Sequence, residues 1–180
     1  MLPDEQTSEG PTPIVFDTTV LSNFARSRSI NWLVSATAIP VTVPEVEREL
    51  QRGRDEGYDY LQPALDWLKP GESAPEDSVT EIRVLEPTPV DGEPDPIARL
   101  DRGEAHAFRK TWPDWVLATD DLDARRLAKE HEVGITGSVG ILADGVARDE
   151  LTVETADDWL ETWERAGYRS PVESIEELLD

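Results

Sequence analysis

Four places along the chain put a carboxylate where surface solvation alone does not explain it. Asp17 closes the short apolar run Ile14-Val15-Phe16, and the pair Asp120-Asp121 follows the run from Val116 to Thr119. In a parallel sheet the ligand crevice opens at the carboxyl ends of the strands. Aspartate at such a place is also a favoured helix cap, and taken singly capping accounts for either position. Glu104 needs more. On an ideal helix turning about 100° per residue, Phe108, Leu100 and Ala107 share its face, while Arg102, His106, Arg109 and Lys110 fall on the opposite half. A carboxylate within an apolar stripe must be paired with a base or bind a cation. The fourth place follows Pro44, where Val46 and Leu50 point inward and Glu47 and Glu49 flank them on opposite sides. Glu45 lies farther out, and geometry does not separate Glu47 from Glu49.

The chain has no cysteine and only two histidines, His106 and His131, both read as surface residues. Thiolate nucleophiles, disulfides and Cys-ligated zinc or iron–sulfur sites are therefore excluded. Converging carboxylates without soft ligands select hard divalent cations, Mg²⁺ or Mn²⁺. Such a site suits phosphoryl transfer, in which a metal activates water and neutralises developing charge.

The elements that must position these groups alternate along 180 residues, enough for a single domain. Residues 1–12 read as a loose acidic tail and 13–180 as the folded unit. Strands are expected at 14–16, 39–43, 82–85, 116–119 and 133–136, with an edge strand at 151–154. Helices are expected at about 20–25, 30–34, 45–52, 58–68, 100–110, 123–131 and 139–147. Acidic, Pro-rich loops occupy about 70–98. Two helices close the chain at about 155–180, one opening on Thr155-x-x-Asp158 and one on Ser170-Pro171. Alternating strands and helices specify an α/β fold with a central parallel twisted sheet covered by helices on both faces.

Charge is the chain's most unusual global property. Seventeen basic residues, 14 of them Arg, stand against 39 acidic ones, a net −22. Disorder is disfavoured by the 38% hydrophobic content, the six Trp and the periodic segments. A halophilic cytoplasm accounts for the composition better, because salt screens the self-repulsion of an acidic surface. No apolar run approaches the roughly 18 residues of a membrane span, and the acidic start is not a signal peptide. The expectation is a cytoplasmic protein with no membrane partner.

The segments TPIVFDTTVLSNFARS at 12–27, VPEVEREL at 43–50, DRGEAHAF at 101–108 and VLATDDLDARRLAKEHEVGITGSVGILADGVARDEL at 116–151, with AGYRSPVESIEELL at 166–179, resemble the PIN-domain nucleases. The likeness is closest to prokaryotic PIN proteins related to VapC toxins. It implies a single PIN-like domain acting as an Mg²⁺/Mn²⁺-dependent endoribonuclease. By this resemblance the first family aspartate matches Asp17, with Thr18 and Asn23 as polar neighbours at the substrate. The helix glutamate matches Glu49, and the GEA glutamate matches Glu104. The last acidic position falls in TDDLD, with Asp121 the first choice, Asp120 the second, and Asp123 a further ligand or a cap. The catalytic set is then Asp17, Glu49, Glu104 and Asp121, and the metal set Asp17, Glu104, Asp120 and Asp121. The family also implies an RNA substrate, an antitoxin as candidate partner for a toxin, and a homodimer. A catalytically silent module that binds RNA or a protein is the alternative.

Arginines recur beside the acidic motifs: Arg26 and Arg28, then Arg48, Arg52 and Arg54, then Arg125 and Arg126. Arg52 and Arg125 are taken as substrate-phosphate contacts, because the guanidinium fork matches phosphate. Arg165 and Arg169 serve as contrasts outside those motifs. GITGSVG at 134–140 lacks the lysine of a phosphate-binding loop and reads as a turn into a helix. Trp159 and Trp163, at i,i+4 spacing, read as docking anchors for the core.

Overall fold

A computed structural model describes residues 10–72, 81–89, 91–92, 95 and 99–179. Most of the expected tail (1–9) and much of the 70–98 loop region lie outside these residues. Six strands form one parallel sheet: β1 (Ile14–Phe16), β2 (Pro40–Thr42), β3 (Leu68–Pro70), β4 (Ile82–Val84), β5 (Val116–Ala118) and β6 (Gly134–Thr136). Their order is β3-β4-β2-β1-β5-β6. Eight helices among the described residues flank it: α1 (Thr18–Arg26), α2 (Ile30–Ala36), α3 (Pro44–Asp55), α4 (Gln62–Trp67), α5 (Arg102–Thr111), α6 (Leu122–Glu130), α7 (Ser138–Ala147) and α8 (Val153–Arg165).

Central β1 is where the connectivity reverses, since β2 lies on one side of it and β5 on the other. A crevice is expected at that switch point. Register makes the crevice specific. Phe16 pairs with Ala118, and Ala118 with Thr136, so Asp17, Thr119 and Gly137 leave three neighbouring strands at one level. Beneath them the core is dry: Val15, Phe16, Val41 and Leu117 of the strands are fully buried, as are Val20, Leu21 and Phe24 of α1.

Several expectations change. The segment 58–68 is not one helix. A 3-10 turn (Asp59–Leu61) leads into short α4, and Leu68–Pro70 becomes β3, paired with Ile82–Val84. Two of its three residues are exposed, so no apolar run announced it, and proline is tolerated because this is an edge strand. No strand forms at 151–154. Thr152 instead accepts a hydrogen bond from the Thr155 amide (3.2 Å) and caps α8 three residues before the expected cap, Thr155. Ser170 does not open a final helix either. Ser174 caps a 3-10 turn (Ile175–Leu178), and Asp157 of α8 fastens it through the Ser174 hydroxyl and the Ile175 amide, both at 2.8 Å. Trp163 is fully buried, edge-on to Phe24 at 5.0 Å, and donates its indole N–H to Ser27 Oγ (2.9 Å). His131 is not simply a surface residue; it sits edge-on to Trp112 and Phe108 at 5.8 and 6.2 Å.

Candidate active site

Asp17 follows β1 and caps α1, accepting the Val20 amide at 3.1 Å. Thr19 donates its hydroxyl to the same Oδ1 (2.7 Å), and the Thr119 hydroxyl donates to Oδ2. The residue is 0% exposed. Burial pushes its carboxyl from 3.8 up to about 7 against the pull of these donors, and the Asp120 charge adds to the rise. Capping and participation in the acidic cluster are thus one arrangement, not alternatives.

Asp120 and Asp121 diverge although adjacent in sequence. Asp120 turns toward α7: its oxygens accept the Ser138 amide (2.8 Å), the Ser138 hydroxyl (2.5 Å) and the Asn23 side-chain amide (3.0 Å). The Tyr168 hydroxyl approaches the same carboxylate at 3.5 Å. Asp121 caps α6, its Oδ1 accepting the Ala124 amide at 2.8 Å. No protein donor reaches its Oδ2 among the described residues.

Glu49 and Glu104 each hold a backbone amide at the start of α5. Glu49 accepts the Thr18 hydroxyl and the Gly103 amide (3.0 Å), so it ties α3 to the starts of α1 and α5. Glu104 closes a capping box with Asp101, accepting its amide through Oε2 at 3.2 Å. Its Oε1 has no protein donor among the described residues. Glu104 sits half-buried at the rim of the α5 stripe, because Ala105 and Phe108 take the centre. Burial, then the Asp121 charge, push its carboxyl up to about 7, with smaller contributions from Asp17 and Asp101. Glu45, expected to lie farther out, is only 6% exposed and pairs with Arg48 at 2.8 Å and Arg102 at 3.8 Å.

Asp101, Glu104, Asp121 and Asp123 line one cleft of about 330 Å³ together with Leu100 and Arg99, whose guanidinium is paired with Glu130. Oxygen-only donors and mutual repulsion suit a hard divalent cation. Among the described residues no group of three or more acidic or histidine side chains is arranged to hold a metal ion. The two oxygens that lack protein donors, Oε1 of Glu104 and Oδ2 of Asp121, match instead the habit of Mg²⁺ of taking one or two carboxylates and keeping several waters.

The predicted substrate residues are placed differently from one another. Thr18 and Asn23 are engaged with Glu49 and Asp120 respectively. Arg125 spans the ends of β5 and β6, donating Nη1 to the Thr119 and Thr136 carbonyls at 3.1 Å each. Arg52 is exposed on the last turns of α3, without an ion-pair partner among the described residues. Arg48, Arg54 and Arg126 pair with Glu45, Asp55 and Asp123, and Arg26 is held over the Tyr60 ring at 4.0 Å. Arg169 is not remote from the site: with Asp120, Asp121 and Tyr168 it lines a cleft beside α1. Sequence reasoning missed the hydroxyls of Thr19, Thr119 and Ser138. Thr19 and Thr119 carried one signal, a hydroxyl within two positions of an aspartate, and Ser138 carried none.

A comparison with family models matches residues 13–180 to DUF3368, a PIN domain. No curated protein matches the chain.

Proposed function

The chain belongs to the DUF3368 family of PIN domains, a nuclease-type family, and from that premise we propose that it is an Mg²⁺- or Mn²⁺-dependent endoribonuclease. One observation carries the reading. Glu104 and Asp121 each commit one oxygen to a backbone amide, keep the other for a shared cleft, and repel each other there. That is charge frustration awaiting a cation.

Glu104 and Asp121 are the side chains that would hold the metal, with the buried Asp17 near enough for its charge to raise the Glu104 carboxyl. A bound divalent cation supplies a water of lowered pKa and neutralises charge on the phosphoryl oxygens. Around that pair the chain's own groups fix geometry. Thr119 bridges the two aspartates, donating to Asp17 and accepting the Asp121 amide at 3.1 Å. Thr19 donates to Asp17 and accepts the Asp120 amide at 3.1 Å. Glu49 sets the first turn of α5, and hence the position of Glu104, through Gly103. Asp120, saturated by Ser138 and Asn23, serves as the clip between α1, β5 and α7, so Asp121 is the preferred ligand of the two.

The test is cleavage of labelled single-stranded RNA with Mg²⁺, Mn²⁺ or EDTA. Glu104→Gln and Asp121→Asn should each lower metal-dependent cleavage at least about tenfold with the fold retained. Parent protein that binds RNA but never cleaves it assigns the silent binding module instead. Growth arrest on expression, relieved by a neighbouring gene product, would assign the toxin role and its antitoxin.

A further inference from the structure

The turn Asp120-Asp121-Leu122 is a ridge between two clefts. On one side lies the acidic cleft of Asp101, Glu104, Asp121 and Asp123. On the other, a groove runs past Tyr168 in two connected parts. One, of about 560 Å³, is bordered by Thr18, Asn23, Arg26, Asp121 and Arg169; the other, of about 470 Å³, by Arg125, Thr136, Gly137 and Pro171. Both parts share Asp120, Leu122, Tyr168 and Arg169, so they adjoin along one side of the ridge. Each is of a size that encloses a small-molecule-sized unit.

Three features of this groove are unusual for a chain of net −22. Arg169 is exposed, and no acidic side chain pairs with it among the described residues. Arg125 is oriented by two backbone carbonyls rather than neutralised by a carboxylate. Leu122, a large apolar side chain 67% exposed, stands at the crest immediately after Asp121. Opposite it, Tyr168 is fixed edge-on to Trp163 at 5.9 Å with its hydroxyl toward Asp120. Two unneutralised guanidinium groups and an apolar-aromatic pair, leading to a carboxylate pair, complement a strand of phosphates and bases.

We propose that this groove is the track for the single-stranded RNA substrate, with Arg169 and Arg125 taking phosphates and Leu122 with Tyr168 taking a base. The proposal rests on the ribonuclease reading and adds the path by which the strand reaches it. Asp121 borders both the groove and the acidic cleft, so a strand seated along the groove is led to Glu104 and Asp121. The segment after α8, from Ala166 to Arg169, then forms one wall of the substrate site.

The experiment measures affinity and turnover separately. Fluorescein-labelled single-stranded RNA is titrated by anisotropy in the Glu104→Gln background at molar KCl, and cleavage kinetics are followed in the parent background. Arg169→Glu should weaken binding at least about tenfold and raise KM with kcat nearly unchanged, the pattern for contacts made equally in ground and transition states. Leu122→Ala should act in the same direction. Arg165→Glu, on the exposed side of α8 where Arg165 pairs with Glu161, should stay within about twofold of the parent, as for surface ion pairs in general. Cleavage by the parent together with parent-like Arg169→Glu and Leu122→Ala would overturn the groove and leave the ribonuclease standing, with a protein segment as the groove's occupant. Parent protein that neither binds nor cleaves RNA overturns both.

Discussion

Asp17 is an acid that the fold keeps out of water while surrounding it with donors. Its carboxyl titrates near 7 when folded against an ordinary 3.8, and Glu104 near 7 against 4.5. Well below pH 4 both carboxyls are protonated in both states, and no difference arises. Between about 4 and 7 the unfolded chain has released protons the folded one still holds, so stability falls as pH rises. Above 7 the penalty is complete and level. Asp17→Asn removes Asp17's share of it. Its carbonyl can stay on the Val20 amide and the Thr19 hydroxyl while its NH₂ faces Thr119, whose hydroxyl rotates to accept. Urea unfolding in EDTA should therefore show Asp17→Asn more stable than the parent at pH 8, with the advantage shrinking towards pH 4. Parallel curves for the two proteins would remove Asp17 from the set of charge-strained groups. At this scale the positions of Asp17, Glu104 and the aspartate pair were legible because each carboxylate sits against an apolar segment. What separates Asp120 from Asp121 was not, since it depends on Ser138 arriving at the start of α7, 18 residues later in sequence.

Glu49 shows what an element contributes beyond its own residues. Helical geometry left Glu47 and Glu49 tied because it concerns one helix, whereas the difference lies in what α1 and α5 bring to α3. Glu49 meets the Thr18 hydroxyl and the Gly103 amide; the helical wheel could not foresee either. Gly103 is required for that meeting: a Cβ there would come within 2.5 Å of Glu49 Oε2 and 2.6 Å of Oε1. Gly103→Ala should accordingly push Glu49 off the α5 amide, cost about 1–3 kcal/mol by overpacking, and reduce cleavage by displacing Glu104. Glu49→Gln should cost at least about tenfold in cleavage or metal affinity, and Glu47→Gln should behave as a surface change. Thermal melts and cleavage rates on the three variants decide the matter; equal losses from the two glutamine variants would misplace α3. The alternation of strands and helices was legible for the same reason as the core carboxylates, namely buried strands flanked by amphipathic helices. β3 and the start of α8 were not, because an exposed edge strand of three residues carries no apolar signature and Thr152 competes locally with Thr155 for the cap.

For the whole molecule the issue is how a chain of net −22 can hold a polyanion. At about 0.01 M salt the Debye length is roughly 30 Å, and the entire acidic surface repels an approaching strand; at 1 M it is roughly 3 Å, and only contacts remain. The structure sorts the arginines into two populations that respond differently. Arg48, Arg54, Arg126 and Arg148 are spent on neighbouring carboxylates. Arg125 and Arg169 face the groove beside the carboxylate ridge without an acidic partner among the described residues. Salt therefore weakens the repulsion, which is long-ranged and spread over the surface, more than it weakens short guanidinium–phosphate contacts at the groove. RNA cleavage should rise with KCl into the molar range, opposite to the usual loss of nucleic-acid affinity with salt. Circular dichroism across the same titration separates this from a simple gain of folded protein. Activity and RNA affinity that peak at low salt in fully folded protein would show that local cations, not screening, dominate the encounter. In that case Arg169→Glu should abolish binding at every salt concentration, whereas under screening control its deficit persists at molar salt while the parent's affinity climbs.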